Sequence, residues 1–137
     1  MGKFTFRKEE RLTKEKQIQE LFEKGSSFYL FPFKVFFMPH PDPAITHHQV
    51  LISVSKKNFK RAVDRNLIKR RMREAYRLQK ETLQGATSLQ IGFIYSHKEI
   101  LLFDEMKRKM LQTMKKLLVN TAKFQEVKSS DKLPGSE

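Results

Sequence analysis

The sequence predicts one α+β domain, an α/β sandwich with a single sheet packed by helices, in the order α-β-β-α-β-α. Three observations predict it. At 137 residues the chain is long enough for one hydrophobic core and too short for two. Segments whose apolar residues recur every second position alternate with segments where they recur every third or fourth. Twelve phenylalanines supply core material that a disordered basic chain lacks.

The first helix is expected over residues 14–24, with Thr13 as its N-cap, Ile18, Leu21 and Phe22 as its apolar stripe, and Gly25 as a left-handed stop. Residues 31–38 read as a strand. Phe31, Phe33, Val35 and Phe37 fall on a core face, and Lys34, Phe36 and Met38 on the other. Pro39-His40-Pro41-Asp42-Pro43 reads as a loop, because proline cannot donate to a ladder. Strands are expected at 49–55 and 89–95, the latter after a turn around Gly85. A helix over 62–80 lies between them. The last helix, 104–123, carries Phe103, Met106, Met110, Met114, Leu117 and Leu118 at helical spacing. Ser96 and Glu99 have capping-box spacing for a short turn before it. The domain is placed at 1–124, with 125–137 as a disordered polar tail.

Composition narrows the function. Lys and Arg number 28 against 15 Asp and Glu, a formal net charge of +13, which draws polyanions. Nucleic acid is the first candidate and an anionic membrane surface the second. There is no cysteine, so thiolate catalysis and Cys-based zinc sites are excluded. No uncharged apolar run approaches the ~20 residues that span a bilayer. Residues 1–11 are charged and do not read as a secretory signal, so a cytoplasmic location is expected.

Residues 56–77, KKNFKRAVDRNLIKRRMREAYR, hold ten of the basic residues and two acids, Asp64 and Glu74. At about 100° per residue, Arg65, Lys69, Arg73, Asn66, Arg77 and Arg70 share one arc of about 140°. Leu67, Ile68, Ala75 and Leu78 lie roughly opposite, toward a core. Cations at i, i+4 and i+8 repeat about every 6 Å along the axis, close to the step between successive phosphates. Arginine adds a planar fork of donors that fits phosphate oxygens. Asn66 offers a neutral donor within the arc. Arg71 falls among the apolar positions and is expected to snorkel outward. A solvated charged face is the plain alternative, but such faces mix signs and do not confine cations to one arc.

The segment Ala62-Val63-Asp64-Arg65-Asn66-Leu67-Ile68-Lys69-Arg70-Arg71-Met72-Arg73-Glu74 resembles the signature of the bacterial ribonuclease P protein family, in which Arg-Asn, Lys-Arg and Arg-Glu pairs recur after Ala-Val. Val50 to Lys57, VLISVSKK, resembles that family's second strand and its Ser-Lys-Lys exit. Arg11-Leu12, Phe22 and Gly25 match its first helix. The resemblance spans about residues 4–120. Asn58 to Arg61 is one residue longer than the family's usual link.

The resemblance implies a ribosomal-protein-like fold with a left-handed β-α-β crossover, against the usual hand. It implies an accessory subunit of an RNA-catalysed endoribonuclease that removes the 5′ leader of precursor tRNA. Ribonuclease P RNA and precursor tRNA are the implied partners, and no membrane. Lys56, Lys57, Arg61, Arg65, Asn66, Lys69, Arg70, Arg73 and Arg77 are then the RNA-binding residues. Ile18, Phe22 and Phe36 line a cleft for the single-stranded leader, where exposed rings stack on any base. Ile18 departs from the family, being aliphatic where aromatic residues are common. Magnesium is implied as held mainly by the RNA, with none bound by the protein alone. No catalytic or metal-binding residue is assigned to the chain, and the pair His47-His48 reads as loop. Three other readings stand beside this one: a structural, ribosomal-type RNA-binding protein, a stand-alone metal-dependent nuclease, and a membrane-surface basic helix.

Overall fold

The computed structural model describes residues 8–84 and 87–132, the last ten of these as backbone only. The elements are α1 (Glu15–Lys24), β1 (Ser26–Leu30), β2 (Phe33–Pro39), β3 (Gln49–Val54), α2 (Ala62–Gln79), β4 (Leu89–Tyr95) and α3 (Phe103–Lys132), with 3₁₀ turns at Lys8–Glu10 and Lys80–Leu83. The four strands form one mixed sheet in the order β1-β2-β4-β3. β1 and β2 are antiparallel, as are β2 and β4, whereas β3 and β4 are parallel and joined through α2. A parallel pair needs such a long crossover, and a helix supplies it.

Four strands stand where the sequence suggested three. Residues 31–38 do not form one strand: Phe31 and Pro32 turn the chain between β1 and β2, and Leu30 pairs with Phe33 across the turn. Pro32 has no N–H to give a ladder, so the break falls there. Pro39, expected in the loop, still pairs with Leu89. The pairing of β1 ends at Phe37, so β2 is an edge strand beyond it and proline is tolerated.

Alternation sorts side chains to the two faces of the sheet. Phe33, Val35, Phe37, Val50, Val54, Leu89, Ile91, Phe93 and Tyr95 are buried under α2 and α3, together with Ile68, Met72, Ala75 and Tyr76 from α2 and Met106, Met110, Met114 and Leu117 from α3. The phenol of Tyr95 donates to Glu99 O (2.6 Å) and accepts from Leu101 N–H (3.1 Å). These bonds satisfy an irregular segment where a helical turn was expected. Ser96, its expected cap, instead sends its backbone N–H to Pro32 O (3.0 Å).

Among the described residues, α1 is the helix on the opposite face. Leu21 is fully buried there, and a Cβ placed at Gly92 would lie 3.5 Å from Leu21 and 3.6 Å from Phe22. Three expectations for the helix ends are corrected. Thr13 does not cap α1; Lys14 takes the N-cap position without a side-chain hydrogen bond. Gly25 is extended, at φ −73° and ψ 157°. It is glycine because a Cβ would stand 2.5 Å from Leu21 O and 3.1 Å from Phe37 O, so its role is close approach rather than left-handed backbone. α3 continues past residue 124 to Lys132, since nothing before Pro134 stops a helix. Residues 133–137 and Gly85 lie outside the described residues.

Candidate nucleic-acid interface

The α2 helix begins at Arg61, its N-cap, with no side-chain cap. Arg65 supplies the missing order from inside the helix. Its guanidinium donates to Phe59 O and Lys60 O, both at 2.8 Å, and so fastens the connecting loop to the first turn. Phe59 is buried against Tyr95, with ring centroids 6.0 Å apart, and Asn58 donates to Ser96 O. These contacts pin the loop between β3 and α2.

The buried stripe of α2 is Ile68, Met72, Ala75 and Tyr76; Leu67 and Leu78 are only half-buried. The core side is thus centred on Met72 rather than directly opposite the cations. Arg71 does not snorkel outward. It is half-buried, and its guanidinium donates to Leu101 O at 2.6 Å, which binds α2 to the segment before α3. The sequence placed Arg71 correctly on the apolar side, but its acceptor lies thirty residues away and left no local trace.

The remaining cations differ in their freedom. Arg61, Asn66, Arg70 and Arg73 are exposed and Lys69 is half-buried. Lys56 and Lys57 are exposed just beyond the end of β3. Arg77 is neutralised in a bidentate pair with Glu74 (2.6 Å and 3.1 Å). Its hydrogen bonds hold the Glu74 carboxyl below its ordinary value and raise the guanidinium's. Arg61 lies 3.9 Å from Asp64, too far for a strong bond. Arg73 is shifted the other way: burial, and then the like charge of Arg11, pull it below the usual arginine value. Arginine stays protonated regardless. Two cations crowded together therefore raise the attraction for an anion. Arg11 and Arg73 line a recess of 230 Å³ with Leu12, Thr13 and Val50 to Ile52.

On the other face, α1 and the strands form an aromatic groove. Phe22 is 40% exposed, and its ring stands 4.9 Å from that of Phe36, tilted by 59°. Ile18 and Phe36 are half-buried. Lys34 Nζ lies 5.7 Å from the Phe36 ring centroid. The sequence-assigned residues Ile18, Phe22 and Phe36 thus share this face with one another, while the α2 cations lie across the sheet. Lys34 and Tyr29, which also belong to the open face by register, were not assigned from sequence. The run Ser27-Phe28-Tyr29-Leu30 after Gly25 was the strand signal that would have found Tyr29.

Histidines are used structurally. His48 Nε2 donates to Leu83 O (3.0 Å) and Nδ1 accepts from Leu89 N–H (3.0 Å), which requires the neutral ring. Burial lowers its pKa, and the facing charges of His47 and Glu10 act in opposite directions. His47 bonds to Glu9 O. Among the described residues, no group of three or more His, Asp or Glu side chains could hold a metal ion. No helix among them is long and apolar enough to cross a membrane.

Comparison with known proteins points to one family and one fold. The family model described as Ribonuclease P matches residues 6–123. A ribonuclease P protein component of Porphyromonas gingivalis is 40% identical over 80 residues, 58% of each chain. One from Chlorobium phaeobacteroides is 44% identical over 85 residues, covering 58% of this chain and 56% of its own. The matched region thus spans less than two thirds of these relatives' length. Among solved structures, the ribonuclease P protein of Thermotoga maritima superposes with a TM-score of 0.66 at 26% identity, over 78% of this chain and 96% of that one. The Staphylococcus aureus protein gives 0.63 at 26%, over 83% and 95%.

Proposed function

The chain belongs to the ribonuclease P protein family, and on that premise we propose that it is the accessory subunit of a ribonuclease P ribonucleoprotein. It binds the catalytic RNA and the 5′ leader of precursor tRNA, and so assists the cut that leaves a mature tRNA 5′ end. The observation that carries this reading is the Phe22–Phe36 pair, Phe22 exposed and Phe36 half-buried on the α1 face, away from the main core and bordered by Lys34. A purely structural RNA-binding protein needs the charge but not the groove.

In this reading the two faces divide the work. Arg70, Arg73 and Lys69, with Asn66 between them, hold the phosphates of the RNA subunit. Arg65 and Arg71 position that surface by fixing both sides of α2. Phe22 and Phe36 stack leader bases without choosing among them, since every base has a π-face. Lys56 and Lys57 leave β3 at the end of the sheet where Lys34 lies, and extend the cationic path from the groove toward α2. Cleavage itself is performed by the RNA. The described carboxylates do not converge on a magnesium site: Glu10 is bound to Lys80 and Glu74 to Arg77. In this reading the magnesium the reaction uses is held mainly by the RNA. The protein contributes charge screening and leader alignment.

Reconstitution tests this. Adding the chain to bacterial ribonuclease P RNA at low magnesium is expected to raise the rate of precursor-tRNA cleavage at the leader junction. An unchanged rate would return the chain to the class of structural RNA-binding proteins. Cleavage by the protein without any RNA would make it a nuclease in its own right, and a preference for anionic vesicles over RNA at physiological salt would make it a membrane-surface protein.

A further inference from the structure

We propose that Tyr29, on edge strand β1, is an additional nucleobase platform that lengthens the groove by one strand and extends its hold on the leader away from the cleavage site; this rests on the leader-binding reading above. Five large apolar side chains are exposed among the described residues: Phe22, Tyr29, Val63, Leu102 and Val119. The two aromatic ones lie on the same face of the sheet. Phe36 pairs with Ser27, and Lys34 pairs with Tyr29, so Tyr29 and Phe36 are diagonal neighbours on adjacent strands. Such neighbours stand about 7–8 Å apart, roughly one step of an extended nucleotide chain. Phe22, Phe36 and Tyr29 therefore form a row of rings running out from α1 across β2 to β1.

The core has no use for Tyr29. The inward side of β1 is furnished by Phe28 and Leu30, which face Val35 and Phe33, while Tyr29 is 55% exposed. Lys34 lies directly across from it and also leans over Phe36. One cation between two rings suits a phosphate whose flanking bases stack on either side. A tyrosine at this place offers a flat face at small entropic cost and a hydroxyl that reaches water or ribose. The occupant that fits is a single-stranded polynucleotide, not an apolar partner, because the row is interrupted by charge.

The test uses holoenzyme reconstituted from the full chain and bacterial ribonuclease P RNA, with precursor tRNAs whose leaders are shortened one nucleotide at a time. Tyr29→Ala is expected to weaken binding of long-leader precursors on the order of 5- to 100-fold and to leave the shortest-leader precursor unchanged. Tyr29→Phe should keep wild-type affinity within about twofold, and Tyr29→Leu should behave like Tyr29→Ala. If Tyr29→Ala is silent at every leader length while Phe36→Ala is not, the platform is refuted and the leader groove survives. If both are silent, the groove reading itself falls. Equal losses at all lengths would place Tyr29 off the distal leader and overturn the proposal. So would a change in the mass of the free protein by sedimentation with no change in leader affinity, since β1 would then be an edge shared between copies. Tyr29 is exposed, so an unchanged thermal midpoint is expected for all three variants.

Discussion

The two faces of the sheet use the same kind of residue for opposite ends. On the α2–α3 face, Phe33, Phe93 and Tyr95 are fully buried, and Phe33 meets the other two edge-on, with ring centroids 6.3 Å and 6.2 Å apart. On the α1 face, Phe22 and Phe36 also meet, yet one ring remains open to water. One helix covers what two cover on the other side. An aromatic ring is a structural element where helices close over it and a binding element where they do not, so exposure by face decides its role.

The largest expected effect tests the core side. Phe93→Ala should cost about 3–5 kcal/mol in denaturant unfolding, as for other fully buried rings, whereas Phe22→Ala should stay within about 1 kcal/mol. Comparable losses from both would erase the distinction between the faces. Next come the two glycines that α1 contacts, Gly25 at its end and Gly92 beneath it. Gly25→Ala should destabilise by about 1–3 kcal/mol, because its Cβ would collide with backbone that cannot yield. Gly92→Ala should be neutral or slightly stabilising, because its Cβ would make only ordinary contacts. A destabilised Gly92→Ala would mean α1 sits closer to the sheet than described.

Smaller effects sharpen the contrast among the cations. Arg73→Ala should lower the salt slope of RNA-subunit binding by roughly 0.7–0.9, the share of one phosphate contact. Arg77→Ala should change it less, since Glu74 already neutralises that guanidinium. An unaltered slope for Arg73→Ala would remove it from the phosphate-binding flank. The smallest effect concerns His48. Its folded-state pKa lies below the ordinary value, so its contribution to stability is complete above about pH 6.5 and is lost as pH falls through the folded value. Urea unfolding over that range should show the loss in the wild type and not in His48→Gln; identical profiles would exclude the histidine.

Much of this was legible in the chain, and the omissions have physical causes. β4 matches its expected bounds because Ile91, Phe93, Ile94 and Tyr95 are β-prone and close together, and α2 matches because its period is strong. β1 was missed because Gly25-Ser26-Ser27 reads as loop and the aromatic run continues across Pro32, which hides the hairpin. Tyr29 was lost with it. The cleft role of Ile18, Phe22 and Phe36 came from resemblance to the family; periodicity alone put Phe22 on the apolar stripe of the first helix. The fate of Arg71 was not readable, since a carbonyl thirty residues distant decides it. The capture of Arg77 by Glu74 follows from their i, i+3 spacing on the helix, which a count of charges along the arc passes over.

The hairpin strand β2 has a reading frame of two. Its odd residues, Phe33, Val35 and Phe37, belong to the core, and its even residues, Lys34 and Phe36, to the groove. Losing or gaining a single residue within it would exchange the two vocabularies, putting a lysine in the interior and phenylalanines in water. Length changes in descendants of this gene should therefore gather in the 41–47 loop, where no such grammar holds, and spare the seven positions that spell both faces at once.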